Sequence, residues 1–162
     1  MAQLEFDTWY RIERPKVVAS IAAITTRPSI AAEAADEAFT RAVERWPRIE
    51  TMASPGGWVT RTALNVARRK LRREGQEGRL WRRATAEVPV EAPPPMWPSD
   101  LWAALDALTP REREAMVLRH VADLSTKDVA TVMGVSQGTV SSTLHSARAR
   151  LVAELAKEVT DV

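Results

Sequence analysis

The chain has 162 residues, 45% of them apolar, which allows one domain or two small ones with modest cores. It contains no cysteine, which excludes disulfides and zinc sites built on thiolates. No apolar run approaches the ~20 residues of a membrane span, and the N-terminus lacks a signal-peptide pattern. We therefore expect a cytoplasmic protein with no membrane segment of its own.

The charge is unevenly distributed along the chain. The formal net charge is only +2, yet residues 45–83 carry eleven Lys or Arg against three Glu, so the remainder is net acidic. Such asymmetry favours a nucleic-acid-binding face on one part of the chain and a protein-binding surface on another. A solvated basic helix would show the same excess, and charge alone does not separate the two.

The chain is predicted to be helical up to Glu74. Apolar residues at spacings of mostly three, four or eight predict a helix over residues 6–24, which Pro15 starts or kinks. A second helix is predicted from Ser29 to Trp46, and its apolar side consists of Ala35, Phe39, Val43 and Trp46. Its opposite side is polar and rich in carboxylates: Glu33, Asp36, Glu37, Thr40, Arg41 and Glu44.

Pro47 is predicted to end the second helix, and the segment that follows to Gly57 has loop character. A third helix is predicted from about Pro55 to Arg73, and its inward side consists of Val59, Ala63, Val66 and Ala67. Its outward side is a polar stripe at four-three-four spacing: Arg61, Asn65, Arg68 and Arg72. Such a stripe can place guanidinium groups on phosphates and an amide on a base edge.

Residues 76–99 are predicted to be an extended linker, because they contain five prolines and show no helical period. A second unit is predicted to begin at Asp100, with three buried leucines: Leu101, Leu105 and Leu108. Thr109, Pro110 and Glu112 follow as the cap, first-turn proline and capping-box partner of another helix start.

The segment from Leu124 to Leu151 predicts a helix-turn-helix. Ser125 caps a first helix, with Asp128 as capping-box partner, and Gly134 supplies the left-handed residue that ends it. Ser136 caps a second helix, whose buried side consists of Val140, Leu144, Ala147 and Leu151. The other side is polar: Gln137, Ser141, Ser142, His145 and Arg148. A helix held in this way can lie in the DNA major groove.

No strand-like alternation of any length, internal repeat or glycine-rich phosphate loop is found. We therefore expect an all-α fold of two small domains. These are a helical bundle over residues 1–75 and a helix-turn-helix domain over residues 100–162, joined by the proline-rich linker 76–99.

In both halves, and in the same order, the chain resembles a bacterial sigma factor of the extracytoplasmic-function group, a small two-domain kind within the sigma-70 family. LTPREREAMVLRHVADLSTKDVATVMGVSQGTVSSTLHSARARL (108–151) is similar to that family's fourth region, which reads the −35 promoter element. ADEAFTRAVERW (35–46) is similar to the helix that binds the polymerase clamp. GWVTRTALNVARRKLRRE (57–74) is similar to the segment that reads the −10 element and helps open the duplex.

The resemblance implies a role for each polar face. The carboxylate-rich side of the second helix would bind core RNA polymerase through a coiled coil of its largest subunit. The −10 element and the melted strand would contact Arg48, Met52, Ser54, Trp58, Arg61, Asn65, Arg68, Arg69, Arg72 and Arg73. The −35 element would contact Ser136, Gln137, Thr139, Ser141, Ser142, His145 and Arg148, with Arg150 also on the DNA backbone.

Within the first unit, the loop from Arg48 to Gly57 would hold a base flipped out of the duplex, which offsets the unstacking cost of a few kcal/mol. Trp58 is expected either to stack on an unpaired base or to be a core residue at a helix start. The resemblance also implies an anti-sigma factor as a possible further partner. No cofactor is expected, and the polymerase would supply all the chemistry.

Several residues depart from the family pattern. Ser141, Thr143 and Ser146 stand where basic residues are usual, which predicts weak, salt-sensitive binding of the isolated second unit to DNA. In the polymerase-binding helix, bulkier apolar residues and Gln are usual at the positions of Ala34, Ala35 and Asp36. Arg69 replaces an acidic residue that is frequent after the asparagine.

Two other classes of function fit less well. A stand-alone regulator with a LuxR-like C-terminal domain would match TPRERE, LSTKDVA and GVSQGTV nearly as well, but not the basic helix of the first half or the HSARARL ending. No upstream α/β pattern of a receiver domain is found. An enzyme is a distant third, because His120 and His145 are far apart and neither lies beside an obvious carboxylate partner.

Overall fold

The computed structural model describes residues 2–81 and 99–161, which are helical apart from short turns and contain no strand. The expected all-α fold is confirmed. Contacts divide the chain into two compact units, residues 1–92 and 93–162. This division falls inside the predicted linker, but residues 82–98, with their expected extended conformation, lie outside the described residues.

The described residues of unit 1 form α1 (Ala2–Thr25), α2 (Pro28–Glu44), α3 (Trp46–Ile49) and α4 (Pro55–Trp81). Two prolines of unit 1 lie within helices. Pro15 lies inside α1, so it does not start that helix, which was one of the two alternatives expected for it. Pro47 lies in the first turn of α3, where its missing N–H would have no helical partner. The start of the predicted loop is therefore helical. The side chains of Trp46 and Ile49 are buried and hold this helical turn against the core.

The end of α4 also differs from the prediction. The helix continues from the predicted end at Arg73 to Trp81, so residues 76–81 are helical rather than part of a linker. Gly75 and Gly78 each cost about 1 kcal/mol relative to alanine, but most of their neighbours favour helix. An ion pair of 2.8 Å between Arg27 Nη1 and Glu74 Oε2 also holds this part of α4 to the start of α2.

A group of alanines on α2 forms the centre of unit 1. This alanine seam is fully buried and consists of Ala31, Ala34, Ala35, Ala38 and Ala42. With it, α2 packs against both α1 and α4. The buried residues of those helices include Val17, Ile21, Ala22, Val59, Ala63 and Ala67. Methyl side chains let helices approach towards the short end of the usual ~8–10 Å range, so close packing joins the three helices.

One residue predicted on the apolar side of α2 lies elsewhere. Val43 is 51% exposed, whereas Ala35, Phe39 and Trp46 are buried as predicted. Val43 follows Ala42 by one residue, which is about 100° around the helix. It therefore lies beyond the seam and faces outward.

Aromatic side chains extend the core of unit 1 beyond the alanine seam. Neighbouring ring centroids in this aromatic cluster are 4.8–6.1 Å apart, and its members are Phe6, Trp9, Tyr10, Phe39 and Trp46. Met52 and Trp58 are half-buried and pack against the adjoining group of Ala42, Trp46 and Ile49. These contacts determine where the turn before α4, and the start of α4 itself, lie on the bundle.

The described residues of unit 2 form α5 (Ser99–Asp106), α6 (Pro110–His120), α7 (Thr126–Met133) and α8 (Gln137–Thr160). The predicted helix starts are confirmed, and Thr109 and Glu112 form a complete capping box. At the start of α7 only the Ser125 half of the expected capping box forms, because the Asp128 side chain makes no return bond to Ser125 N. Ser125 and Ser136 each accept a 3.1 Å hydrogen bond from the backbone N–H three residues on. Gly134 ends α7 in the left-handed conformation, with a φ of 67°.

The predicted core of unit 2 is largely confirmed. On α8, Val140, Leu144 and Ala147 are buried, whereas Leu151 is only half-buried. Leu105 and Leu108 are buried as expected, and the side chain of Leu101 lies outside the described residues. α8 packs against α5, α6 and α7, so the helix carrying the polar face is held from three sides.

A buried carboxylate joins α6 to α8. Glu112 Oε2 accepts a hydrogen bond of 3.0 Å from the Thr109 backbone, and Oε1 accepts another of 3.0 Å from Arg150 Nε. Burial alone would raise the pKa of Glu112, but these two donors outweigh it and hold that pKa below the ordinary value of 4.5. Arg150, which we expected on the DNA backbone, is therefore engaged within the fold.

The alanine seam predicts a sharp response to overpacking. Ala38→Leu inserts three carbons into a fully buried contact, so we expect the free energy of unfolding of unit 1 to fall by about 1–3 kcal/mol. Chemical denaturation measures this. Thr40→Leu, on the exposed side of the same helix, is the control and should change stability by no more than about 0.5 kcal/mol. Equal stability of the two variants would contradict close packing at the seam.

The Glu112 pair predicts a pH-dependent contribution to the stability of unit 2. Because its folded pKa lies below the unfolded value, the stabilisation is present above about pH 4.5 and is lost as the pH falls further. The difference in unfolding free energy between the wild type and Glu112→Gln should be constant above that pH and shrink below it. Asp106→Asn, on the exposed end of α5, is the control. A difference that does not change with pH would contradict the assignment.

Candidate nucleic-acid and polymerase interfaces

The outer face of α4 carries the predicted polar stripe. Arg61, Asn65 and Arg72 are exposed, and Arg68 is half-buried at its edge. They lie opposite Val59, Ala63 and Ala67, because side chains three and four residues apart share one side of a helix. Rigid packing of that inner side holds three guanidinium groups and one amide along a single line. Such a line suits a phosphate backbone beside a base edge.

Two cations of α4 lie away from this stripe, towards α2. Arg69 Nη2 is 3.9 Å from Glu37 Oε1, and Lys70 Nζ is 3.3 Å from Glu33 Oε2. Arg69, predicted to contact DNA, thus lies between the two helices. Arg73 is exposed on the next turn.

The carboxylate-rich side of α2 is divided by ion pairs to its neighbours. Asp36 Oδ1 accepts hydrogen bonds from Arg14 Nη2 at 2.9 Å and Nε at 3.0 Å, and Glu37 accepts one of 2.6 Å from Arg41. Each of these partly exposed pairs contributes only ~0–1 kcal/mol. The centre of the exposed side consists of Thr40, Val43 and Glu44.

The turn before α4 brings some predicted site residues into structural roles. Ser54 Oγ accepts a hydrogen bond of 3.1 Å from Gly57 N, so Ser54 caps α4. Met52 packs against the aromatic end of the core, and Arg48 is exposed on α3. Of Arg48, Met52 and Ser54, only Arg48 therefore has a fully exposed side chain in this conformation.

A cleft of about 410 Å³ lies between the end of α2 and the first turns of α4. Its lining residues are Arg41, Glu44, Arg45, Trp58, Thr62 and Asn65. It joins residues that the sequence assigned to two different partners, and adds Arg45 and Thr62, which were not predicted. Thr62 lies four residues after Trp58 and three before Asn65, so all three share one face of α4. This spacing could have predicted Thr62 from the sequence.

Trp58 is a core residue, which is one of the two roles expected for it, whereas stacking on an unpaired base stays a prediction. The ring is half-buried, packs against the Ala42–Trp46–Ile49 group and also lines the cleft. It is thus a core residue with a surface free to contact a ligand.

On unit 2, the polar side of α8 is exposed along its first three turns. All predicted members lie on it: Ser136, Gln137, Thr139, Ser141, Ser142, His145 and Arg148. Ser136 and Thr139 also form the cap, with a hydroxyl–hydroxyl distance of 2.9 Å, and the Ser142 hydroxyl donates to the Thr139 carbonyl at 3.0 Å. The residues most available to base edges are therefore Gln137, Ser141 and His145.

Arg148 lies at the edge of this face beside a histidine of α6. Its Nη2 is 3.5 Å from His120 Nε2. Burial, then the charges of Arg148 and Arg119, lowers the pKa of His120 below 6.5. This shift favours the neutral ring, which can accept a hydrogen bond from the Arg148 guanidinium.

Within residues 2–81 and 99–161, no group of three or more His, Asp or Glu is arranged to hold a metal ion. Over the same ranges, no helix is long and apolar enough to cross a membrane.

Comparison with known proteins identifies both units. The family model for sigma-70 region 2 matches residues 9–77, and that for sigma-70 region 4 matches residues 99–151. The RNA polymerase sigma-E factor of Streptomyces coelicolor is 32% identical over 163 aligned positions, which cover 94% of this chain and 86% of that protein. The ECF RNA polymerase sigma factor SigE of Mycolicibacterium smegmatis is 35% identical over 116 positions, which cover 65% of this chain and 44% of that protein.

A solved structure supports the fold. The sigma factor RpoE of Bartonella quintana, in complex with the anti-sigma factor NepR, superposes with a TM-score of 0.76 at 21% identity. The match covers 93% of this chain and 96% of that one. Because region 2 is matched in the first half, a stand-alone LuxR-like regulator is not favoured. The chain belongs to the extracytoplasmic-function group of the sigma-70 family of RNA polymerase sigma factors.

Proposed function

We propose that α2 binds core RNA polymerase while α4 and α8 hold the −10 and −35 promoter elements. The observation that carries this proposal is the arrangement of unit 1, in which close packing joins a carboxylate-rich face on α2 to the Arg–Asn stripe on α4. One small body thus carries two charged faces of opposite sign, suited to two partners.

Polymerase contact centres on the exposed side of α2, at Thr40, Val43 and Glu44, with Glu33, Asp36, Glu37 and Arg41 around them. A basic polymerase surface competes for the carboxylates of α2 with the Arg and Lys side chains that now pair with them. Since each exposed pair contributes only ~0–1 kcal/mol, this exchange costs little. It also releases Arg69 and Lys70 from Glu37 and Glu33, so docking on α2 increases the positive charge that α4 offers to DNA.

Promoter opening follows from the stripe on α4. Arg61, Arg68 and Arg72 contact phosphates, Asn65 contacts a base edge, and Arg48 and Arg73 extend the positive surface at either end. Capturing unstacked bases beside Met52 and Ser54 offsets the few kcal/mol that unstacking costs.

The −35 element is read by α8, with Gln137, Ser141 and His145 at base edges and Arg148 on the backbone. Few cations lie on this face, so unit 2 alone binds DNA weakly and in a salt-sensitive manner. The tether to polymerase compensates, because a second binding event within one complex occurs at high effective concentration.

The chain performs no catalysis of its own in this proposal, and no cofactor takes part. It acts where promoters are, on the bacterial chromosome. Since the structurally similar RpoE is bound by an anti-sigma factor, we propose a protein of that class as a further partner that covers the same faces.

Run-off transcription tests the proposal most broadly. Core polymerase with the purified chain should produce discrete transcripts whose mapped start sites share upstream elements, whereas core alone should not. Failure to bind core, or random start sites, would contradict it.

The stripe makes a sharper prediction. Arg68→Ala with Arg72→Ala removes two phosphate contacts, and hydrogen bonds to charged groups contribute roughly 1.5–3 kcal/mol each. We expect open complexes, measured by permanganate footprinting, to fall by about tenfold or more. Arg11→Ala, on the exposed side of α1, is the control and should open promoters normally. Unchanged opening by the double variant would count against the stripe.

A further inference from the structure

Two arginines of α8 extend towards α6, and their partners on that helix differ in kind. Arg150 donates a hydrogen bond of 3.0 Å to the Glu112 carboxylate, so its charge is paired within the fold. Arg148 Nη2 lies 3.5 Å from Nε2 of His120, the last residue of α6. A neutral imidazole accepts a hydrogen bond through one nitrogen and has no charge that would cancel that of an arginine. Arg148 is therefore held by α6 while its full positive charge stays available.

We propose that His120 is a positioning residue for recognition of the −35 element, because it holds the Arg148 guanidinium at the DNA-facing side of α8, where a phosphate would bind. The inference rests on the proposed function, in which Arg148 contacts the DNA backbone. It adds a residue of α6 to the machinery of the reading face. His120 acts through Arg148 rather than by contact with DNA.

The spacing of α8 places Arg148 beside residues that face base edges. It lies three residues after His145 and seven after Ser141, so the three share one side of the helix. Because α6 packs against α8, the end of α6 is a fixed point next to this side. The contact with His120 therefore sets the direction in which a long, exposed side chain leaves its helix.

Holding Arg148 in place reduces the entropy that it loses when it binds DNA. Ordering one side chain with many rotamers on binding weakens affinity by roughly two- to tenfold. A guanidinium has several N–H donors in a planar fork, and the contact with His120 uses only one of its nitrogens. The remaining donors are free to bind phosphate oxygens, so positioning and DNA contact do not compete.

The charged groups that act on the His120 ring are both positive. Burial of part of the ring, then the charges of Arg148 on α8 and Arg119 on α6 itself, lowers the pKa of His120 below its usual 6.5. Among the described residues, α7, which also packs against α6, adds no charged group to this set. Above that pH the neutral form, which accepts the hydrogen bond, is favoured. A protonated ring only donates and repels the guanidinium, so the contact is lost as the pH falls.

A double-mutant cycle between His120 and Arg148 tests this proposal in reconstituted holoenzyme, with core polymerase alone as background. The probe is a fluorescein-labelled duplex that carries a −35 element mapped by run-off transcription and ends upstream of the −10 element. At about pH 8, where the ring is neutral, His120→Ala should weaken binding roughly two- to tenfold by fluorescence anisotropy. The same change in an Arg148→Ala background should alter binding by less than about twofold, because no guanidinium remains to be positioned.

Two further variants separate positioning from a general structural effect. His120→Gln keeps an acceptor, the amide oxygen, and should retain most of the wild-type affinity. Gln137→Ala is the control partner, because Gln137 lies on the same face of α8 but roughly 16 Å along the helix from Arg148. Its effect on binding should simply add to that of His120→Ala.

Repeating the cycle down to about pH 5 gives a readout that a merely structural role would not change. The coupling between His120 and Arg148 should shrink as the pH falls below 6.5. Equal losses from His120→Ala in both backgrounds, a His120→Gln variant as weak as His120→Ala, or a coupling that does not change with pH would overturn the inference alone. If Arg148→Ala itself binds the duplex as tightly as wild type, the backbone contact of the proposed function is wrong, and the inference fails with it.

Discussion

Close packing of α2 against α1 and α4 fixes the positions of both charged faces of unit 1. Five buried alanines leave no room between these helices, so the charged side of α2 and the polar stripe of α4 are held on one body. Where the family usually has bulkier residues, Ala34 and Ala35 are fully buried here. The departure noted in the sequence is therefore part of the packing rather than a loss of binding surface.

Electrostatics follow from that packing. Because α2 and α4 lie close, carboxylates of one helix pair with cations of the other, through Glu33–Lys70 and Glu37–Arg69. In the proposed function, polymerase and DNA consequently act on overlapping sets of charges in unit 1. Unit 2 is built differently. The exposed polar side of α8 is rich in hydroxyls, and Arg150 donates a hydrogen bond to Glu112 within the fold. In the proposed function, the affinity for the DNA backbone therefore lies mainly in unit 1, and unit 2 contributes mainly base-edge contacts.

Features governed by neighbours in sequence were predictable. The caps at Thr109, Ser125 and Ser136 and the left-handed Gly134 follow local rules, and the structure has each one. Helical spacing also predicted which side of α4 is exposed. The same spacing misplaced Val43, because a helix as rich in alanine as α2 gives little contrast between its sides. Helix bounds near proline and glycine were missed at α3 and at the end of α4, where burial and good helix formers outweigh the local signals.

Features that depend on contacts distant in sequence were out of reach. Nothing local indicates that Arg150 lies on Glu112, that Arg69 lies beside Glu37, or that Arg45 shares a cleft with Trp58. These pairings arise from the tertiary arrangement of helices, and they change the expected roles of individual residues without changing the family. The sequence pattern therefore predicted which helices carry polar faces, whereas tertiary packing determines which residues each face contains.

We expect α2 and α4 to form one rigid body before any partner binds. The chain has no native cysteine, so spin labels attach only to the two cysteines of a Ser29→Cys, Arg73→Cys double variant. Double electron–electron resonance then measures the single distance between the start of α2 and α4. A rigid body gives one narrow distance distribution that is the same for the free chain and for the chain bound to core polymerase. A broad distribution in the free chain that narrows only on binding would contradict it.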